Sequence, residues 1–219
     1  MLDQIKITTE PASELLGDVQ ALAGQIGSAE GLAALGSAAL SFQLKRIKSL
    51  PELRNFLQSY QREILIPHEL PVIRQAFYHS SRNELRELLA LDQRLQQEPL
   101  LQDLSGASQL IGQIQLRGLR PLRDQRLVRR YGQAVQMGEA RGWHTIVFGI
   151  VLALFSLPLR QGLLHYGHQT MQGFIYSAAR TLELPEKQGL ELHQELCSSL
   201  PEAVEHVLAQ GGPVDLRIV

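Results

Sequence analysis

Apolar residues recur at three- and four-residue steps along most of this chain, with charged or amide residues between them. Leu85, Leu88, Leu89, Leu91 and Leu95 form one such series, and Leu190, Leu192, Leu196 and Leu200 form another. This spacing gathers the apolar side chains on one face of an α-helix; the strict alternation of a half-buried strand is nowhere sustained. Residues 145–159 break the amphipathic pattern, because they carry no charge and only a few small polar or Gly/Pro interruptions. Such a run must leave water, yet it falls short of the roughly 18 to 20 apolar residues that a bilayer crossing needs. It reads as a buried core helix.

Helix boundaries can be placed from local chemistry. Ser49-Leu50-Pro51-Glu52 and Ser199-Leu200-Pro201-Glu202 each set a hydroxyl three residues before a carboxylate, so that the two side chains can satisfy orphan amides reciprocally. Ser81 with Glu84 repeats the spacing, and Pro11 suits the first turn of a helix running to about Gln25. Pro67 and Pro71 are expected to interrupt the helix beginning near Pro51. Pro99 is expected to close the helix beginning near Ser81, and Pro158 to end or kink the apolar one. The chain therefore predicts an all-α fold, a single-domain bundle of roughly ten helices. That domain covers 1–219, with 1–10 and 211–219 as flexible or partner-ordered tails. Segment 24–40, rich in Gly, Ala and Ser, is either a tight helix contact or a loose connection.

A chain of 219 residues with 44% hydrophobic content is long enough to bury its apolar surface in one core. Twenty-one Lys and Arg balance twenty-two Asp and Glu, so no global field recommends nucleic acid or an anionic membrane as partner. Cys197 is the only cysteine and cannot form an internal disulfide, and no signal-peptide pattern opens the chain; cytoplasmic residence is the expectation. The short motifs of nucleophile elbows, phosphate-binding loops and dinucleotide-binding turns are missing, and no catalytic residue is assigned.

Three constellations carry candidate chemistry. His165 and His168 stand three apart and could supply two ligands of a zinc or nickel site, with His144 as a further imidazole. Neither an HExxH pattern nor a third ligand at a fixed offset accompanies them, so no metal site is predicted within the monomer, and packed or surface histidines are the plainer reading. Arg117, Arg120, Arg123, Arg126, Arg129 and Arg130 recur mostly in steps of three, which on one helix would make a spiral basic stripe. With Tyr131 the only aromatic nearby, a solvated face or an acidic protein partner fits that stripe better than nucleic acid. Cys197 lies on an apolar-periodic helix with no adjacent cation, which reads as burial rather than reactivity.

The order of segments from about Asp18 to Val219 resembles the urease accessory protein UreF family. His144-Thr145-Ile146-Val147-Phe148-Gly149 is similar to the family's His-Pro-x-x-x-Gly element at the head of an Ala- and Leu-rich helix. Tyr176-Ser177-Ala178-Ala179-Arg180 is similar to its small-residue stretch ending in Arg. Leu184 and Gly189 fall where the family has a Leu-Gly-Gln-x-x-Gly turn, with Pro185 and Glu186 replacing the Gly-Gln pair. Leu53-Arg54-Asn55-Phe56-Leu57 resembles a Leu-Arg-x-x-Leu helix, and Val214-Asp215-Leu216-Arg217-Ile218-Val219 resembles the short hydrophobic-Arg tail. The glycine-rich opening motif is only partly kept: Gly27 to Ser37 retains glycines and small residues but lacks its Phe and its closing acid.

The resemblance implies a helical, UreF-like, non-catalytic scaffold, a homodimer that works in urease maturation. Its implied partners are a UreD/UreH-like companion, a UreG-like GTPase and the urease apoprotein, with neither nucleic acid nor membrane among them. It implies no cofactor on this chain, with nickel and GTP carried by the partner GTPase. Leu216, Arg217 and Ile218 would contact the companion, Gly31, Gly36 and Ser37 would allow close protein approach, and His144 and Arg180 would be polar anchors near the core helices. Leu216 and Ile218 docking on their own domain is the intramolecular alternative for the tail. The rival functions are a helical metal-binding protein or small enzyme using His144, His165 and His168, and a paralogue of the same fold with another client.

Overall fold

The computed structural model describes residues 47–119 and 125–210, and every regular element among them is helical. Helix α1 (Leu50–Tyr60) runs without a break through a π-helical segment (Gln61–Glu69) into α2 (Leu70–Ser81). There follow α3 (Leu85–Gln97), a 3-10 turn (Pro99–Leu101), α4 (Gln102–Gly118), α5 (Arg126–Met137), α6 (His144–Leu154), α7 (Leu159–Leu182), α8 (Glu186–Cys197) and α9 (Leu200–Ala209).

The apolar run forms the centre. Every residue of α6 from His144 to Leu152 is buried, which is why it shows no polar face. It packs chiefly on α2 and α4. The crossing with α2 is close enough that a Cβ on Gly149 would stand 2.6 Å from both the Ala76 Cβ and the Ile73 carbonyl oxygen, so only glycine fits there. The long α7 also contacts α2 and collects α1, α8 and α9, and its Tyr166 reaches the rings of His144 and Phe148 in α6. Phe174 of α7 meets Tyr60 and Phe56 edge-on, with ring centroids 4.7 and 5.9 Å apart. Among the described residues, no helix is long and apolar enough to cross a membrane.

Pro67 and Pro71 do not break the α1–α2 rod; it widens at Pro67. A proline has no N–H to donate and its ring collides with the carbonyl four residues back, and a shift to five-residue bonding relieves both demands. The Leu70 N–H accordingly donates to the Leu65 carbonyl. Pro99 and Pro158 behave as expected, following the ends of α3 and α6.

Of the three predicted capping boxes one forms, with its return bond shifted by one residue to the amide before the cap. Ser49 is extended and its hydroxyl accepts from the Glu52 N–H at 3.4 Å, while Glu52 takes the Lys48 N–H at 2.7 Å. Ser199 caps nothing: only Ser198 and Ser199 separate α8 from α9, both keep helical dihedrals, and the Ser199 hydroxyl accepts instead from Gln61 Nε2 at 3.2 Å. Ser81 is the last residue of α2 and donates back to the Phe77 carbonyl at 2.8 Å. Its supposed partner Glu84 lies 2.7 Å from His79 Nδ1, and α3 begins only at Leu85 after a left-handed turn at Asn83 (φ 60°). The basic stripe is likewise divided. Arg117 ends α4, whereas Arg126, Arg129 and Arg130 open α5, so no single helix carries the series; Arg120 and Arg123 lie outside the described residues.

Candidate functional site

Five helices, α3 to α7, meet where α6 begins, and polar groups hold the junction. Trp143 occupies the N-cap position without offering a side-chain bond, so the Ser108 hydroxyl of α4 accepts from the His144 N–H at 3.2 Å. His144 is fully buried, with Nδ1 2.9 Å from Gln115 Oε1 and its ring against Phe148 and Tyr166. Burial pulls its pKa down to about 4, so the imidazole is neutral, and the amide oxygen opposite assigns the proton to Nδ1. Asp92 of α3, also fully buried, organises the loop before α6. It accepts from the Tyr131 hydroxyl at 2.7 Å, the Arg141 N–H at 2.6 Å and the Gly142 N–H at 3.0 Å. Gly142 has φ 74°, and a Cβ on Gly112 across from it would lie 2.1 Å from its carbonyl oxygen, so the loop and α4 touch backbone to backbone.

A second buried polar group sits at the end of the π-helical segment. Tyr60 donates to Glu69 Oε2 at 2.8 Å. Burial raises the Glu69 pKa to about 7, against the opposing pull of the Tyr60 hydroxyl. The Tyr166 hydroxyl also approaches Glu69 and opposes the same rise. His68, next in sequence, is buried with neither ring nitrogen paired, and desolvation lowers its pKa while Glu98 opposes the shift. Between His68, Glu69, Ser108, Trp143 and Thr145 lies a void of about 10 Å³, at the lower limit of what holds one water.

The candidate histidines separate. His144 belongs to the α4–α6 junction, and among the described residues it does not join His165 and His168 as a ligand set. His168 instead faces α8, where its ring nitrogen shares a neighbourhood of 4.8 Å with His193 and Cys197. Cys197 is buried as expected, and desolvation pushes its thiol up to about 12. Arg117 and Arg129 line an open cleft of about 660 Å³ between α4 and α5. Leu110 and Ile114, one turn apart on α4, stand 56% and 52% exposed. Arg180 lies in the last turns of α7, with its side chain outside the described set; Gly31, Gly36, Ser37, Leu216, Arg217 and Ile218 lie outside the described residues altogether.

Sequence reasoning missed Asp92, Glu69, Ser108 and Gln115 as determinants. Asp92 left a signal, since it occupies the inner face of the Leu88, Leu91, Leu95 series, where a lone carboxyl has to find donors. His193 and Cys197 also left one, as an i, i+4 pair on a single helix face.

The sequence profile of the UreF family matches residues 47–197, from the residues that precede α1 to the end of α8. Curated relatives agree at low identity. The urease accessory protein UreF of Sporosarcina pasteurii is 20% identical over 162 residues, covering 74% of this chain and 80% of the relative. The urease accessory protein UreF of Actinobacillus pleuropneumoniae is 23% identical over 166 residues, covering 76% of this chain and 73% of the relative.

Proposed function

The chain belongs to the UreF family, and on that premise we propose that it is a urease accessory scaffold that acts by binding other proteins. It engages a UreD/UreH-type companion on one surface and recruits a nickel-carrying UreG-type GTPase, promoting nickel loading into the urease apoprotein; nickel and GTP reside on the GTPase. The observation that carries this reading is the extent of the family match, which takes in α1 to α8 and includes the whole central α6. The surface is consistent with it. Leu110 and Ile114 expose an apolar step on α4, the kind of feature that a partner helix or loop covers. Such a scaffold shifts its GTPase partner only as far as it prefers one of that partner's states over another.

Size-exclusion co-elution of the full chain with purified UreD-type and UreG-type proteins tests the reading. A ternary complex is expected, and a truncation after Gly212 that removes Leu216, Arg217 and Ile218 is expected to lose the companion while keeping the helical circular dichroism. Failure of the full chain to join either protein would overturn the scaffold; retention of the companion by the truncated chain would overturn the role of the tail.

A further inference from the structure

We propose that His168, His193 and Cys197 form a binding site for one zinc-type divalent ion, with a fourth coordination position left to a ligand from outside this set. His168 comes from α7 and the other two from α8, where the i, i+4 spacing puts both on the face that α7 covers. The three donor atoms all lie within 4.8 Å of one another. His193 Nε2 and Cys197 Sγ are 3.5 Å apart. A tetrahedral ion with Zn–N and Zn–S bonds of ordinary length sets its nitrogen and sulfur donors about 3.6 Å apart, so one edge of the coordination polyhedron is already in place. The remaining edges need His168 to swing inward, and His168 is the least buried of the three.

The surroundings favour a site over mere packing. His193 and Cys197 are 7% and 5% exposed, so the floor is dry, while the half-buried His168 leaves a way in. His168 Nδ1 is buried with no hydrogen-bond partner, so no competing bond holds that nitrogen. His193 Nε2 also lies 3.3 Å from the His168 carbonyl oxygen, which ties the α8 imidazole to the α7 backbone beside the third ligand. Two imidazoles and a thiolate select borderline-soft ions such as Zn²⁺ and reject Mg²⁺ and Ca²⁺, which want oxygen. Binding expels the thiol proton to solvent and leaves both imidazoles neutral, with no change of oxidation state. The inference stands apart from the scaffold reading, because it concerns only how α7 and α8 close on each other.

Cobalt(II) titration of the full chain, stripped with chelator, is the test. Cys197 is the only cysteine, so a thiolate-to-cobalt charge-transfer band can arise from no other residue. The band is expected to saturate at one cobalt per chain, independently of protein concentration, and to bleach on adding Zn²⁺. Cys197→Ala should abolish it. His168→Gln and His193→Gln should each weaken binding beyond the ~10–100-fold that loss of an outer-shell partner alone costs. His168→Gln alters a half-buried position and should keep wild-type circular dichroism, so its result counts even if another variant misfolds. A wild-type chain that shows no charge-transfer band, or a band that survives both histidine substitutions at unchanged affinity, overturns the site.

Discussion

Asp92→Ala should destabilise the protein more than any other single truncation of a polar side chain in the described core. The substitution strands three donors at once: the Tyr131 hydroxyl and the Gly142 N–H, both buried, and the Arg141 N–H, partly buried. Each buried donor left without an acceptor costs about 1–3 kcal/mol, and with the partly buried amide counted lightly the sum is about 3–6 kcal/mol. Against a total stability of about 5–15 kcal/mol, that is a large fraction, and for a chain of this size it corresponds to a fall in Tm of roughly 6–24 °C. Tyr131→Phe removes one donor and leaves Asp92 two backbone partners, so it should cost only about 1 kcal/mol. Urea unfolding followed by far-ultraviolet circular dichroism measures both. In the double variant, deleting the Tyr131 hydroxyl after Asp92 is gone should cost nothing or recover stability, because the hydroxyl is then an unpaired buried group. An Asp92→Ala variant no weaker than Tyr131→Phe would refute the account of the junction.

Glu69 predicts a pH dependence with a definite sign. Its pKa is about 7 folded against an ordinary 4.5, so the folded state holds the extra proton between those values and this contribution, about 3 kcal/mol, is full below pH 4.5 and lost as pH rises through 7. Urea melts at pH 5 and pH 8 should show that slope removed in Glu69→Gln relative to wild type, and an unaltered slope would sink the assignment. At Gly149, alanine forces a Cβ into α2 backbone and should cost about 1–3 kcal/mol by overpacking. Gly106 on α4 faces open space, and alanine there should stabilise by about 0.5–1 kcal/mol through helix propensity; thermal shifts of like sign for these two variants would contradict the packing.

How much could be read beforehand depends on whether the determinant is local. The helical period, the burial of the apolar run as far as Leu152 and the Ser49 cap are set by residues within a few positions of one another, and each is found in place, whereas Ser156 and Pro158 at the end of that run are exposed. The Ser199 cap failed because its fate depends on Gln61, far away in sequence, which claims the hydroxyl. Pro67 misled because a π-helical register absorbs it, an option that composition does not advertise, and Pro71 falls in the first turn of α2, where a proline is tolerated. At the candidate site the difficulty is the same. His165 and His168 were paired by proximity in sequence, whereas His168 meets its partners across a helix–helix contact with α8. Asp92 and Gly142 are fifty residues apart and bonded.

The element that most strongly suggested the family is also the one least able to touch a partner. From His144 to Gly149 every residue is buried, His144 completely. Their identities have packing reasons: His144 bonds Gln115 and rests on Phe148 and Tyr166, and Gly149 admits α2 at backbone contact. A protein can share this element and still differ in what it binds, since a wholly buried segment sets the spacing of α2, α4 and α6 without presenting an atom to solvent. On the scaffold function proposed above, partner choice falls to side chains that the core leaves outward, and Leu110 and Ile114 on α4 are the candidates. Ser108, two residues before Leu110 on the same helix, turns the other way and accepts from the first amide of α6. One helix thus carries both a seat of α6 and the outward step, so, on the scaffold function proposed above, a substitution at His144 is expected to weaken association without lying at the interface, which co-elution of that variant with the partner proteins checks.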